Sequence, residues 1–361
     1  MDIESKILFT PKDMKPSKSF LRMRGVFNPG GIRLPNKKIL LFARVAETPK
    51  HDEKIFIAPR FSGEKELKWS VERLNRKKMN IHADYAFTDF KIYRLPTISH
   101  LRKVWIDKDG FEIDKISQSP DFFGLKEDGD FGVEDPRIMH LKKENKYVMT
   151  YVSVSMHSGV STSLATSKNF NTWKREGIIF PQQNKDVVIF PEKINGEYVA
   201  LNRPEGTMIF DKPHIWISYS KDLIYWGKHK PLIHPRSTGW DTVRIGPGTI
   251  PIKTAEGWLE FYHGVRLKNP ADSDSAKIYS AGAILFDLKN PEKIIARTSP
   301  KKPLFGSDLD SEKKGFLNQV VFPTAAIPSL DKKSLLIYSG GADSSITVRK
   351  VLVKDVLNSF G

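Results

Sequence analysis

Hydrophobic residues along the chain fall in short runs that are rich in β-branched and aromatic side chains. Clusters of Gly, Pro, Asn, Asp and Lys separate these runs. No long window places apolar residues at the i, i+3, i+4 and i+7 spacing of an amphipathic helix. The pattern therefore predicts a mostly antiparallel, all-β protein.

One strand pattern recurs along the chain, and each copy follows a turn-like stretch such as Asn195-Gly196. The five copies span residues 38–44, 146–152, 197–203, 257–263 and 334–340. A second unit, Ser-Lys-x-x-x-x-Trp, recurs at 167–173 and 220–226. Repeated four-stranded units of this size are typical of β-propellers, so the copies predict a five-bladed β-propeller. A β-sandwich or a pair of β domains with chance similarity is the alternative.

The interval between the first two copies is much longer than the others. This spacing predicts an insertion at about 52–130, near the N-terminal blade. A chain of 361 residues corresponds to about two domains of average size or to one large β domain. Because the repeated strands extend along the whole chain, we interpret residues 1–361 as a single propeller domain.

Three of the copies end in a cationic or cation-capable side chain, namely Arg44, Arg203 and His263. In a propeller the innermost strands line a central funnel, and equivalent strand ends converge there. Such groups repel one another at short range unless an anion lies between them. The repeats alone therefore predict a funnel that binds an anion.

The composition shows a basic chain, with 58 Lys and Arg against 42 Asp and Glu and a net charge of +16. This charge favours anionic partners. However, the lysines are scattered in pairs, which is more typical of a solvated surface than of a binding stripe. We therefore expect no nucleic-acid partner, because that would need a basic stripe with stacking aromatics.

The chain contains no cysteine, which excludes disulfides, thiolate zinc sites, iron–sulfur clusters and a cysteine nucleophile. No metal-binding His pair, P-loop or Gly-x-Ser-x-Gly motif occurs either. We also find no secretory signal and no apolar run of about 18 residues. The expectation is a cytoplasmic protein with no metal, no cofactor and no membrane partner.

The sharpest motif places Glu134 and Asp135 directly before Pro136 and Arg137. The proline favours an extended backbone at Asp135, which would fix the direction of its carboxylate. Arg137 is expected to hold Glu134 ionised, which leaves Asp135 as the better proton donor. A solvent-exposed acidic turn is the alternative interpretation.

Together the motifs resemble glycoside hydrolase family 130, the β-mannoside phosphorylases and their hydrolase relatives. They occur in order over about residues 25 to 345: Asn28-Pro29-Gly30, Arg44, 132–137, 190–193, Arg203-Pro204, 220–227, Trp240-Asp241, Ile245-Gly246, 262–264, 321–324 and 341–343. The family has a five-bladed β-propeller, in agreement with the repeats.

The resemblance implies a role for each matching residue. Asp135 would be the sole catalytic acid and would protonate the glycosidic oxygen through a mannose hydroxyl. The substrate-binding residues would be Asn28, Arg44, Tyr262 and Asp343. The phosphate-binding residues would be Lys185, Arg203 and His263.

The implied reaction is a reversible, inverting phosphorolysis of a terminal β-mannoside that gives α-mannose 1-phosphate. Inorganic phosphate is the co-substrate, and a mannooligosaccharide is the other partner. The hydrolase relatives carry glutamates in place of the phosphate ligands, so the cationic residues here favour the phosphorylase. The alternatives are a β-mannosidase, with Glu192 or Glu205 as base, and a non-catalytic glycan-binding propeller.

The sequence leaves open the linkage (β-1,2 or β-1,4), the acceptor and the assembly state, including a homo-oligomer. We expect acceptor recognition to lie in the insertion, including Asp84, Tyr85 and His100. The chain departs from the family pattern at Asn202, where many members have His, and at Gly341, where many have Ala. Either departure is expected to affect the acceptor side or the local backbone.

Overall fold

A computed structural model describes residues 3–82, 85–88, 93–206, 208 and 210–360. Within these ranges the regular structure is almost entirely β. Helix is limited to two 3-10 turns and two short α-helices: Pro11–Asp13, Arg76–Lys78, α1 (Asp310–Lys313) and α2 (Val353–Asn358). The predicted all-β class is confirmed.

The N-terminal third of the chain contains one main group of strands and two small extra sheets. Its strands are β1 (Glu4–Phe9), β2 (Leu21–Arg33), β3 (Ile39–Pro49), β4 (Ile55–Phe61), β5 (Trp69–Asn75), β6 (Met79–Ile81), β7 (Ala86–Thr88), β8 (Tyr93–Arg94), β9 (Ile98–Ile106) and β10 (Ile113–Ile116). Strands β2, β3, β9 and β10 pair in that order, whereas β4–β5 and β6–β7–β8 form the extra sheets. The extra sheets thus occupy only 55–94, and the later part of the predicted insertion supplies β9 and β10.

The rest of the chain forms four more antiparallel groups. Its strands are β11 (Gly132–Leu141), β12 (Lys146–Ser155), β13 (Gly159–Ser167), β14 (Lys174–Phe180), β15 (Asn184–Ile189), β16 (Tyr198–Pro204), β17 (Ile215–Ser220), β18 (Gly227–Ile233), β19 (Arg244–Pro247), β20 (Ile252–Lys253), β21 (Trp258–Leu267), β22 (Lys277–Phe286), β23 (Ile294–Arg297), β24 (Val321–Pro328), β25 (Ser334–Gly341) and β26 (Ser345–Leu352). The groups are β11–β14, β15–β18, β19-β21-β22-β23 and β24-β25-β26-β1, and the short β20 pairs with β21. A parallel bridge from Gly132 to Ser99 joins the first two groups into one sheet.

The five repeated sequences form equivalent strands, β3, β12, β16, β21 and β25, each second in its group. The predicted turns precede them, and Asn145 and Asn195 adopt the left-handed backbone that such turns favour. The first strands, β2, β11, β15, β19 and β24, contact one another in succession or through a neighbouring strand. The repeats therefore mark the second strand of each group and not the first.

Apolar side chains fill the spaces between successive groups. Five buried apolar clusters each lie between two groups and pack them together. One of these clusters joins the first group to the last and includes Val26, Leu41, Leu336 and Tyr338. β-Branched and aromatic residues favour such two-sided packing between sheets. Strand β1 pairs with β26, so the N-terminal strand completes the last group.

Among the described residues, no helix has the length and apolar character needed to cross a membrane.

Candidate active site

Three first strands carry a β-bulge at the same end of the fold. At each bulge a polar residue adopts a left-handed backbone: Asn28 (φ 45°), Asp135 (φ 45°) and Asp186 (φ 58°). Asn and Asp tolerate this conformation better than most residues, and a bulge redirects side chains out of the regular alternation. Asp135 is thus left-handed and not extended, because the bulge overrides the preference imposed by Pro136.

Asp135 lies in a hydrogen-bonded cluster of polar side chains. Its Oδ1 accepts hydrogen bonds from Asn28 Nδ2 and Arg44 Nη1, both at 3.0 Å. Arg44 Nη2 also donates to Glu134 Oε1 at 2.6 Å. The partner of Glu134 is therefore Arg44 and not Arg137, whose buried guanidinium donates to the backbone carbonyl of Asp135 at 2.9 Å.

Asp343 lies beside the same cluster, on a left-handed turn after β25. Burial raises the pKa of its carboxyl to about 6, against the attraction of Arg44. Arg44, Glu134 and Asp343 line a cavity of about 170 Å³, together with Phe27, Phe131 and Phe316. A cavity lined by apolar side chains and a few fixed polar groups can bind a small polar ligand that has an apolar face, such as a sugar ring.

A larger cavity of about 520 Å³ opens at the opposite ends of the first strands. Its lining is mainly apolar and includes Ile138, Ile250 and Ile327. None of the predicted site residues lines it. We therefore place the candidate site at the smaller cavity.

Cationic side chains gather on the neighbouring strands β15, β16 and β19. Lys185 lies opposite Arg203 in the strand register. Arg203 Nε donates to Asp186 Oδ2 at 2.8 Å, and its Nη1 donates to the Glu205 carboxylate. Arg244 Nη2 donates to the other Glu205 oxygen at 3.0 Å. These ion pairs hold the two arginines in place.

The carboxylates of this cluster remain ionised although they are buried. Burial alone would raise the pKa of Asp186, but the neighbouring cations, Arg203 foremost, together outweigh it and hold that pKa well below its usual range. The pKa of Glu205 is likewise lowered, because Arg203 and Arg244 outweigh its partial burial. Neither carboxylate is poised to take up a proton near neutral pH.

His263 completes the cluster from β21, opposite Gly246. A Cβ atom at Gly246 would stand 2.4 Å from the His263 ring and 2.8 Å from Arg203 Cδ, so only glycine leaves room for both. The ring is fully buried, and neither nitrogen has a hydrogen-bond partner among the described residues. Burial lowers the pKa of His263 to about 3. The ring is therefore neutral at pH 7.

The two clusters belong to one site. Lys185 acts electrostatically on Asp343, and Arg137 is influenced by both Asp135 and Asp186. The structure thus brings together seven of the eight predicted residues: Asn28, Arg44, Asp135, Lys185, Arg203, His263 and Asp343.

Tyr262 is the predicted residue that lies elsewhere. Successive side chains of a strand point to opposite faces, and Tyr262 precedes His263 on β21. Its hydroxyl donates to Asp241 Oδ2 at 2.8 Å and accepts from Arg297 Nε at 3.1 Å, in the core beside Trp240. Tyr262 therefore stabilises the packing between groups and does not reach the site.

The two departures from the family pattern have different surroundings. Asn202 is buried inside its group, where it accepts from Asn184 and donates to Ser218, both at 2.9 Å. It therefore points away from the cavity. Gly341 pairs with Ser345 at the end of β25, two residues before Asp343.

The residues expected to recognise the acceptor are dispersed. Asp84 lies outside the described residues. His100 is fully buried and contacts Glu47 and Ser17, so it offers no surface to a ligand. Tyr85 stacks on His82 beside the small sheet β6–β7–β8.

Sequence reasoning missed two residues of the site, Asp186 and Arg244. A charged residue before the apolar run 187–190 was the available signal for Asp186, but it does not reveal the contact with Arg203. Arg244 stands at the start of β19 and reaches the cluster through Glu205. Within the described chain, no three His, Asp or Glu side chains are grouped as ligands for a metal ion.

The all-β fold, the acid beside a sugar-sized cavity and the adjoining cations define a carbohydrate-active enzyme. The family model described as beta-1,4-mannooligosaccharide phosphorylase matches residues 97–360. The chain therefore belongs to glycoside hydrolase family 130.

Three similarities to known proteins extend over much or all of the chain. The beta-1,2-mannobiose phosphorylase of Listeria innocua is 36% identical over 99% of this chain and 97% of its own. A structure of that named enzyme in complex with beta-1,2-mannobiose superposes with a TM-score of 0.85, at 34% identity and 99% coverage of both chains. The 1,2-beta-oligomannan phosphorylase of Thermoanaerobacter sp. is 39% identical over 62% of this chain and 70% of its own.

Proposed function

We propose that this protein is an inverting phosphorylase that cleaves a terminal β-mannoside with inorganic phosphate and releases α-mannose 1-phosphate. The observation that carries the proposal is the junction of two clusters in one site. A carboxyl group held by Asn28 and Arg44 adjoins a sugar-sized cavity, and next to it lie Lys185, Arg203 and Arg244. The full-length similarity to mannoside phosphorylases supports the same conclusion.

In this proposal Asp135 supplies the proton that the leaving sugar needs. Asn28, Arg44 and Asp343 bind the hydroxyls of the mannosyl unit beside the cleaved bond. Because Arg44 and Asn28 both donate to Oδ1 of Asp135, they fix the carboxyl in one orientation. A proton donor held in place in this way lowers the barrier to cleavage of the glycosidic bond.

Phosphate is the nucleophile in this reaction. Lys185, Arg203 and Arg244 attract its charge, and neutral His263 donates an N–H to one of its oxygens. The phosphate oxygen bonds to the anomeric carbon from the face opposite the leaving group, so the configuration inverts. An anion that is already charged needs no base, which agrees with a site that contains a single proton donor.

The state of the glutamates argues against water as the nucleophile. Glu205 is paired with Arg203 and Arg244, which lower its pKa, and so make it a weak base. Glu192 is exposed and paired with Lys253 Nζ at 2.5 Å. Neither residue is free to activate water for a β-mannosidase reaction.

We also propose that the five four-stranded groups close into a single five-bladed β-propeller. The contacts among the first strands support closure, as does the apolar cluster between the first and last groups. The pairing of β1 with β26 would lock the ring. The absence of a cofactor, a cytoplasmic location and the assembly state stay predictions.

The decisive experiment is a product assay on β-1,2- and β-1,4-mannobiose with and without inorganic phosphate. The relatives named above favour the β-1,2 linkage as the better substrate. We expect mannose 1-phosphate only when phosphate is present. Free mannose formed at the same rate without phosphate would establish a hydrolase. No product from any mannoside would favour a glycan-binding protein.

A further inference from the structure

Glu260 is a buried acid that the mechanism above does not use. It lies on β21 with its side chain fully buried, and Oε1 accepts the backbone N–H of Gly248 at 2.7 Å. Oε2 has no hydrogen-bond partner in the described part of the chain. Burial raises the pKa of Glu260 to about 8, although the N–H groups of Gly248 and Thr249 and the charge of Arg137 oppose the rise. The group is therefore mostly protonated at pH 7.

Gly248 links Glu260 to the active site. Its carbonyl accepts a hydrogen bond from Arg137 Nε. A Cβ atom here would stand 2.3 Å from the carbonyl oxygen of Phe261 and 2.7 Å from that of Pro323. The residue is thus wedged between β21 and β24, and the hydrogen bond to Glu260 fixes the segment that presents its carbonyl.

Arg137 continues this chain of contacts to the proposed proton donor. It is 1% exposed, and its Nη1 donates to the backbone carbonyl of Asp135 at 2.9 Å. Asp135 has a left-handed backbone, a conformation that surrounding contacts must maintain. Within the described part of the chain, Arg137 donates to two backbone carbonyls and to no carboxylate. Its guanidinium therefore acts as a brace between β11 and the Gly248 segment.

We propose that Glu260, in its protonated form, is a positioning residue that orients Asp135 through Gly248 and Arg137; this inference rests on the proposed function. Arg137 is the charged group that acts on Glu260, whereas the facing residue of β22 is apolar Ile284. Ionisation of Glu260 would attract the guanidinium away from the two carbonyls. The brace would then loosen, and with it the orientation of Asp135.

The test compares Glu260→Gln, which keeps the shape and neutrality of the protonated acid, with Glu260→Leu, which removes the acceptor. Wild-type kcat is expected to decline above about pH 8, where Glu260 ionises. Glu260→Gln should keep kcat within about twofold at pH 7 and lose this decline. Glu260→Leu should lower kcat by about 10- to 100-fold, since small misplacement of a catalytic group has effects of this size, while both KM values stay near wild type. The exposed Glu256→Gln is the matched control, with wild-type behaviour.

Two results would overturn the inference. One is a loss in Glu260→Gln as large as that in Glu260→Leu, which would mean that the ionised carboxylate is needed. The other is wild-type kcat in a folded Glu260→Leu variant. If Glu260→Leu does not fold, the pH profile of Glu260→Gln decides, because an alkaline decline that persists there contradicts the inference.

An infrared measurement separates this inference from the proposed function. A protonated carboxyl in wild type at pH 7 gives a carbonyl stretching band that Glu260→Gln should lack. The band requires no turnover. A wild type that cleaves no mannoside would refute the proposed function, and identical spectra would refute the protonated state of Glu260.

Discussion

Replacement of Lys185 by Met tests the phosphate site with the least damage to the fold. Lys185 is half-buried. When its ammonium group is removed, the buried Asp186 and the partly buried Glu205 still keep Arg203 as their partner. A charge-assisted hydrogen bond contributes about 1.5–3 kcal/mol, so its loss should raise the KM for phosphate by about 10- to 150-fold. The KM for the mannoside should stay within about twofold, because the residues proposed to bind the mannosyl unit are Asn28, Arg44 and Asp343.

The assay follows mannose 1-phosphate formation against phosphate concentration at saturating mannoside. Lys193→Met is the matched control, because it removes the same charge from an exposed site, where Nζ donates to the carbonyl of Lys221 at 3.0 Å. It should leave both KM values unchanged. An unchanged KM for phosphate in a folded Lys185→Met protein would refute the assignment of this cluster.

Three further predictions concern the acid, the histidine and the mannosyl site. Asp135→Asn should abolish turnover without unfolding the protein, and substantial residual phosphorolysis would reject its role as proton donor. The pKa of His263 is about 3 in the folded state against 6.5 in the unfolded state, so only the unfolded state takes up this proton as the pH falls below 6.5. Chemical denaturation should therefore show about 2 kcal/mol of stability lost by pH 5 from this group. The variant His263→Gln should not show that loss. The pKa of Asp343 is about 6 in the folded state against 3.8 in the unfolded state, so its ionisation lowers stability as the pH rises from about 3.8 to 6. Asp343→Asn should therefore raise the free energy of unfolding by about 3 kcal/mol at pH 8 but not at pH 3.5. The same variant should weaken mannoside binding. Equal stability of Asp343→Asn and wild type at pH 8 would contradict this account.

The sequence predicted the repeated strands better than the directions of individual side chains. Apolar alternation identifies β3, β12, β16, β21 and β25, and the turns before them carry residues suited to a left-handed backbone. Of the three residues at equivalent strand ends, Arg203 and His263 lie in one cluster, whereas Arg44 pairs with Glu134 and Asp135 in the adjoining one. Successive side chains on a strand point to opposite faces, so Tyr262 cannot share a face with His263. The prediction of Tyr262 as a site residue followed the family motif and did not apply this rule.

The first strands were harder to interpret because their functional residues lie at bulges. A bulge inserts one residue and shifts the alternation that follows, so the phase of a side chain cannot be read from its neighbours. Asp186 is an example: a regular strand starting at Lys185 gives no indication that its carboxylate accepts from Arg203 of the paired strand. Glu260 escaped notice for a different reason, since its partner Gly248 has no side chain that signals a contact.

The arrangement of charges explains how the site remains organised before phosphate binds. Asp186 and Glu205 hold Arg203 and Arg244 through hydrogen bonds, so the guanidinium groups need little reorganisation when an anion arrives. The two carboxylates balance two arginines, and Lys185 leaves the cluster with an excess positive charge near pH 7. Neutral His263 adds a donor without adding to the repulsion among the cations. A site of this kind stabilises an anionic nucleophile and offers little help to water, which needs a base that these paired carboxylates do not supply.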